Sequence, residues 1–131
     1  IHVMAICQPA PLVLAATAVF RPGASSPSAM GESYPLLFDP AHAHRLRVLT
    51  RREANGLVVV AHAGYTLPQV DLAGTRARVA CFGAVFTAPG FEGRGLGTRV
   101  FADAVAAARA EGAEAGLVSG RRGLYLRAGF Q

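Results

Sequence analysis

Lysine is missing altogether: all 13 basic residues of the 131-residue chain are arginine. That absence excludes the phosphate-gripping lysine of a P-loop nucleotidase and any lysine Schiff base. Tryptophan is missing too, and the two cysteines, Cys7 and Cys81, are too few and too far apart for a disulfide framework or a zinc ribbon. A reduced, cytoplasmic setting is therefore the expectation. Charged residues are scarce at 16% against 52% hydrophobic, so the chain should fold and is not a charged disordered tail. No apolar run reaches the ~18 residues needed to span a bilayer, and no membrane partner is expected. The apolar opening Ile1 to Phe20 carries Ala16-Thr17-Ala18, which mimics a signal-peptidase site, but no basic residue precedes it and Pro9 and Pro11 interrupt it. It reads as core.

Typical domains peak near ~100–150 residues, so residues 1–131 are read as one domain. The start at Ile1 without methionine and the stop at Gln131 directly after a Gly-Phe pair suggest a chain cut at one or both ends. The formal net charge is +5. The arginines lie as pairs and singles (Arg45, Arg47, Arg51, Arg52, Arg76, Arg78, Arg121, Arg122) and form no basic run interleaved with aromatics. A phosphate-bearing small molecule suits this balance, and no nucleic acid is expected. A nucleic-acid binder would instead show a steep salt dependence of affinity.

Several elements are readable. Residues 1–7 predict a short strand, Leu12 to Phe20 a helix after Pro11, and residues 22–33 a Ser/Pro/Gly loop that either borders a substrate site or merely connects. Asp39 can cap a short helix with Pro40 at its first position. Leu46 to Thr50, a turn at Asn55-Gly56 and Leu57 to Thr66 predict a hairpin. Asp71 to Gly74 reads as a connection into the β-rich run Thr75 to Thr87, giving three consecutive antiparallel strands. Leu96, Val100, Phe101, Ala104, Val105 and Ala108 form the stripe of an amphipathic helix that Gly112 closes. Ala115 to Ser119 reads as a strand and Arg122 to Arg127 as a short helix. A strand–helix–strand crossover requires a parallel pairing. The expected fold is thus α+β, with a mixed, mostly antiparallel central sheet flanked by helices.

Chemistry concentrates at Gly93-Arg94-Gly95-Leu96-Gly97, between a long strand and a long helix. Glycines at alternate positions let backbone amides approach a ligand, and the helix N-terminus adds about half a positive charge, so a pyrophosphate is the natural guest. A dinucleotide fingerprint fails because the sixth position from Gly93 is Thr98. A turn that only tightens strand-to-helix packing stays open as the structural alternative.

Residues Val85-Phe86-Thr87-Ala88-Pro89-Gly90-Phe91-Glu92-Gly93-Arg94-Gly95-Leu96-Gly97 resemble the strand-end and glycine-loop signature of the GNAT family of N-acetyltransferases. Gly123-Leu124-Tyr125-Leu126-Arg127-Ala128-Gly129-Phe130 resembles that family's later Leu-Tyr to Gly-Phe segment, at the family's interval of one helix and one strand. The resemblance implies acetyl-CoA as cosubstrate and no metal. It implies that the backbone near Val85, Phe86 and Thr87 pairs with the pantetheine arm like an added strand. Glu92, Gly93, Arg94, Gly95, Leu96, Gly97 and Thr98 would surround the pyrophosphate. Tyr125 matches the tyrosine proposed to protonate the departing CoA thiolate, its alternative being a core aromatic. Two departures stand out: Glu92 replaces a usual Arg or Gln and would repel the pyrophosphate unless it turns to solvent or pairs with Arg94, and Gly90 replaces a common Glu. The family's last strand has no counterpart before Gln131.

The expected activity is direct acetyl transfer from acetyl-CoA to a primary amine in a ternary complex, the alternative being a non-catalytic acyl-CoA-binding module. An alkylammonium must lose a proton before attack, and His62 and Glu32 are the candidate bases, each also readable as a packed or solvated residue. His42 and His44, two apart, make no metal pair on a helix, and no Gly-x-Ser-x-Gly elbow surrounds Ser119. The segment Ser119-Gly120-Arg121-Arg122 either touches the CoA nucleotide or caps the Tyr125 helix after it. An open sheet edge offers a route to a homodimer.

Overall fold

The computed structural model describes residues 2–5 and 35–131. Its elements are strand β1 His2–Ala5, a 3-10 helix Pro40–Arg45, strands β2 Leu46–Glu53, β3 Gly56–Thr66, β4 Gln69–Leu72 and β5 Thr75–Thr87, helix α1 Leu96–Ala110, strand β6 Ala115–Val118 and helix α2 Gly123–Arg127. The helix expected at Leu12 to Phe20, the loop at 22–33 and Glu32 lie outside the described residues.

β1, β2, β3 and β5 are antiparallel neighbours in that order, β4 pairs antiparallel with the first part of β5, and β6 joins β5 in parallel. The crossover through α1 therefore closes as the sequence requires. β3 is rich in valine and buried from Val59 to Tyr65, as suits a central strand covered on both faces. On one face Val100, Phe101, Ala104 and Ala108 of α1 pack on Leu49, Ala61, Ala63, Tyr65 and Phe82. Alanine on both surfaces lets the helix axis approach the sheet closely. Leu37, Leu46, Val48 and Val59 form a second, smaller core.

Two readings need correction. Asp71 is not part of a connection: Gln69–Leu72 forms β4, paired with Thr75–Arg78, and only Ala73-Gly74 make the turn, both at positive φ. That combination suits a tight hairpin, but Pro68 and the strand's brevity hid it. The β2–β3 turn is Ala54-Asn55, with Glu53 opposite Gly56, so Gly56 (φ 122) opens the strand and does not close the turn. Asp39 caps as expected, its carboxylate accepting from Ala41 N at 2.9 Å.

One polar cluster ties the 3-10 helix, β3 and α1 together. The Glu111 carboxylate accepts from Arg45 (3.0 and 2.9 Å) and from the Tyr65 hydroxyl (2.5 Å), with His44 Nε2 at 3.3 Å. Burial alone would push the Glu111 carboxyl up. Hydrogen bonds from Arg45 and Tyr65, with the charges of Arg45 and His44, outweigh it and hold the group at about 2 against an ordinary 4.5. Burial, then the hydrogen bond and charge of Glu111, push the Tyr65 phenol up. Because the folded carboxyl titrates below the unfolded one, its stabilisation is complete above pH 4.5 and is lost as pH falls toward 2. Glu111→Gln should destabilise the fold at pH 7 by roughly 2 kcal/mol, the usual worth of hydrogen bonds to a charged group. The deficit should shrink by pH 3 in thermal melts; an equal deficit at both pH values would contradict the assignment.

Candidate functional site

β5 carries the site because its two edges are used unequally. On one side β4 takes Thr75–Arg78 and β3 takes Cys81–Thr87. On the other, β6 pairs only Val79–Phe82, and among the described residues no strand covers that edge from Gly83 to Thr87. A bulge sits where β6 departs. The β3–β5 register slips between His62 and Gly64, leaving one extra residue in β5, and Ala84 adopts φ 50. A left-handed alanine costs roughly 1–2 kcal/mol, so its surroundings must enforce it.

The chain then turns sharply. Phe91 N donates to Ala88 O at 3.0 Å, with Pro89 second and Gly90 (φ 81) third, the residue pattern of a type II turn. This accounts for Gly90, because a glutamate there would need the left-handed region. Ala88 N donates to Val60 O at 2.8 Å and fastens the end of β5 to β3. Gly93 and Gly95 follow at φ 73 and 74, and Gly95 is the N-cap of α1. No side chain caps α1 and no acidic residue stands in its first turn, so its leading amides face outward unclaimed by side chains. Gly97 presses the helix start onto β5: a Cβ there would lie 3.1 Å from Thr87 Oγ1.

These parts enclose an open groove of about 710 Å³. Val85, Phe86, Thr87, Glu92, Gly93, Gly95, Leu96, Gly97 and Thr98 all line it, so every residue expected at a cofactor is gathered there except Arg94. Arg94 is turned back, donating to Gly90 O at 3.2 Å with its guanidinium 5.3 Å from the Phe91 ring centroid. Glu92 does not pair with it. Its carboxylate accepts from Gly90 N at 2.7 Å, which directs one oxygen into the turn.

The positive charge at the groove comes from elsewhere. Arg122, the N-cap of α2, and Arg127, its last residue, both line it. Arg122 donates to Val85 O at 2.7 Å and Arg127 to Thr98 Oγ1 at 3.2 Å. Neither has an acidic partner among the described residues. The sequence offered the segment Ser119 to Arg122 in two alternative roles, without singling out Arg122, and gave no sign of Arg127, whose contact spans 29 residues of chain.

Tyr125 is buried beside the groove. Its neighbours Gly123 and Leu124 line the cavity, while its own ring packs on Phe101 at 5.0 Å and lies 5.9 Å from the Arg122 guanidinium. His62 lies on β3, 1% exposed, its ring stacked between Phe38 (6.0 Å) and Phe86 (5.1 Å). Burial lowers its pKa to about 4, against the opposing hydrogen bond with Ala84 O. A ring so weakly basic and absent from the groove lining is a poor base for an alkylammonium. Among the described residues no three His, Cys, Asp or Glu side chains gather as a metal site, and no helix is long and apolar enough to cross a membrane.

Comparison with known proteins agrees with this geometry. A family model described as the acetyltransferase (GNAT) family matches residues 16–130. A GNAT family acetyltransferase from Brucella melitensis, solved in complex with acetyl-CoA, is similar over 99% of this chain and 82% of its own, at 26% identity and a TM-score of 0.68. Glucosamine-6-phosphate N-acetyltransferase from Arabidopsis thaliana shares the fold at 10% identity and a TM-score of 0.65, over 91% and 81%. An acetyltransferase of Trypanosoma brucei shares it at 16% identity and a TM-score of 0.60, over 91% and 81%. No curated protein matches the chain closely enough to count as a relative.

Proposed function

Since the chain belongs to the acetyltransferase (GNAT) family, we propose that it transfers an acetyl group from acetyl-CoA directly to a primary amine. The observation that carries this reading is the convergence on one groove of a strand edge left open and two arginines left without acidic partners among the described residues, together with outward helix amides. The edge at Val85 suits a pantetheine amide, which would take the carbonyl that Arg122 now holds. The amides of Gly93 to Thr98 suit the diphosphate, with Arg122 and Arg127 as counter-charge. The complex of the Brucella relative with acetyl-CoA supports the same donor here.

Transfer then needs orientation more than covalent help. Among the described residues no cysteine or serine lines the groove, which favours direct attack of the neutral amine on the thioester carbonyl. The C–N bond forms and the C–S bond breaks; the amine nitrogen gives up its proton to solvent water, the thiolate receives one from the Tyr125 hydroxyl, and the resulting phenolate is reprotonated from solvent. The aligned amine and thioester supply much of the rate.

Isothermal calorimetry with acetyl-CoA, followed by thiol release across a panel of amines, tests the reading. Binding at micromolar Kd with amine-dependent thiol release is expected. Binding without release under any amine would favour a second reading, an acyl-CoA-binding module without turnover. Glu92 at the diphosphate end of the groove is the observation on its side. Absence of binding would remove both.

A further inference from the structure

The ring of His62 has no place in the transfer chemistry, yet it is fully enclosed beside the groove residue Phe86. Two aromatic rings clamp it, Phe38 at an interplanar angle of 18° and Phe86 at 15°, and solvent reaches 1% of it. Its Nδ1 lies 2.7 Å from the carbonyl oxygen of Ala84. A carbonyl can only accept, so the proton is on Nδ1, and Nε2 is a buried acceptor without a hydrogen-bond partner among the described residues.

Ala84 is the left-handed residue of the β5 bulge, and the bulge falls between the last residue paired to β6, Phe82, and the first groove residue, Val85. The two carbonyls at this point go to different partners. That of Ala84 is taken by His62, and that of Val85 faces the groove, where Arg122 meets it. A chain without the first restraint could relax the alanine out of its unfavourable conformation and rotate the Val85 peptide with it.

We propose that His62 is a positioning residue for the acyl donor: its Nδ1–H fixes the Ala84 carbonyl and thereby keeps the Val85 peptide turned to the pantetheine arm. This rests on the reading of the groove as the acyl-CoA site. Burial serves the role by keeping the ring neutral, with a single N–H committed to a single acceptor.

Two variants and two probes test it. His62→Leu removes the donor at similar bulk, whereas His62→Asn places an amide N–H near the position of Nδ1. Calorimetry with CoA and with ADP, which lacks the pantetheine arm, separates the arm from the nucleotide end. His62→Leu should weaken CoA about 10-fold and leave ADP unchanged, with a matching rise in KM for acetyl-CoA, and His62→Asn should recover most of the loss. Unchanged CoA affinity in folded His62→Leu, equal losses for both probes, or no recovery with His62→Asn would each overturn the proposal. Should His62→Leu not fold, the nitrogen-15 spectrum of the wild-type imidazole decides. A proton on Nδ1 alone between pH 5.5 and 8 is expected, and a proton on Nε2 would overturn the assignment. If wild type binds neither probe, the groove reading itself has failed.

Discussion

Tyr125→Phe is expected to lower kcat for acetyl transfer by about 100-fold or more, the lower end of what a positioned general acid supplies, while the Kd for acetyl-CoA stays within about twofold. The substitution is clean because the ring is held by packing: Phe101 lies 5.0 Å away and the Arg122 guanidinium 5.9 Å, contacts that phenylalanine keeps. No hydrogen bond from the hydroxyl to another described residue is lost, so the melting temperature should hardly move. The expected deficit belongs to the departing thiolate, and its size should follow the leaving group. Acetyl thioesters of more acidic thiols depart with little need of a proton, and on these Tyr125→Phe should approach wild-type turnover. A kcat unchanged with acetyl-CoA, or a deficit equal for every thioester, would return Tyr125 to the role of a core aromatic.

Much of this site was legible in the sequence because its chemistry is local. Gly93 and Gly95 announce left-handed backbone, the stripe from Leu96 to Ala108 announces a helix, and together they place outward amides at the end of a strand. The Leu-Tyr to Gly-Phe segment needed only its interval. What stayed hidden depends on contacts between distant parts of the chain. The bulge at Ala84 has no sequence mark, because alanine carries no preference for positive φ; its carbonyl is met from β3, 22 residues away, by His62. For the same reason His62 read as a candidate base. Only the fold reveals that its N–H is committed and its ring enclosed between Phe38 and Phe86.

Glu92 shows the same limit from the other side. By type and position it reads as a repulsive charge beside a diphosphate, and it does line the groove. One carboxylate oxygen is nevertheless spent on Gly90 N within the turn that Pro89 and Gly90 create. Arg122 and Arg127 line the same groove, so a chain lacking the usual cation before the glycines still presents two guanidiniums to that space. Both are exposed, and their attraction for an anion is therefore screened by salt.

The amides of the glycine loop escape that screening most readily, being fixed to the helix start, and replacing Gly93 and Gly95 together by alanine should have the largest effect on cosubstrate binding. Neither Cβ would meet another atom within 4 Å, so no clash is involved. The cost is conformational: φ values of 73 and 74 place an alanine in the left-handed region at roughly 1–2 kcal/mol per residue. Nothing within 4 Å of either Cβ holds the strained path, so the free loop relaxes and turns its amides aside, and CoA must restore it on binding. The Kd for CoA should therefore rise by about 30-fold, taking ~2 kcal/mol as the combined penalty, while pantetheine, which has no diphosphate, changes by less than threefold. Gly95→Asn should lose less than Gly95→Ala, because asparagine enters the left-handed region more cheaply. Equal weakening of CoA and pantetheine would mean that the loop acts by supporting the fold. CoA affinity untouched in the double variant would mean that the diphosphate is held somewhere other than at the start of α1.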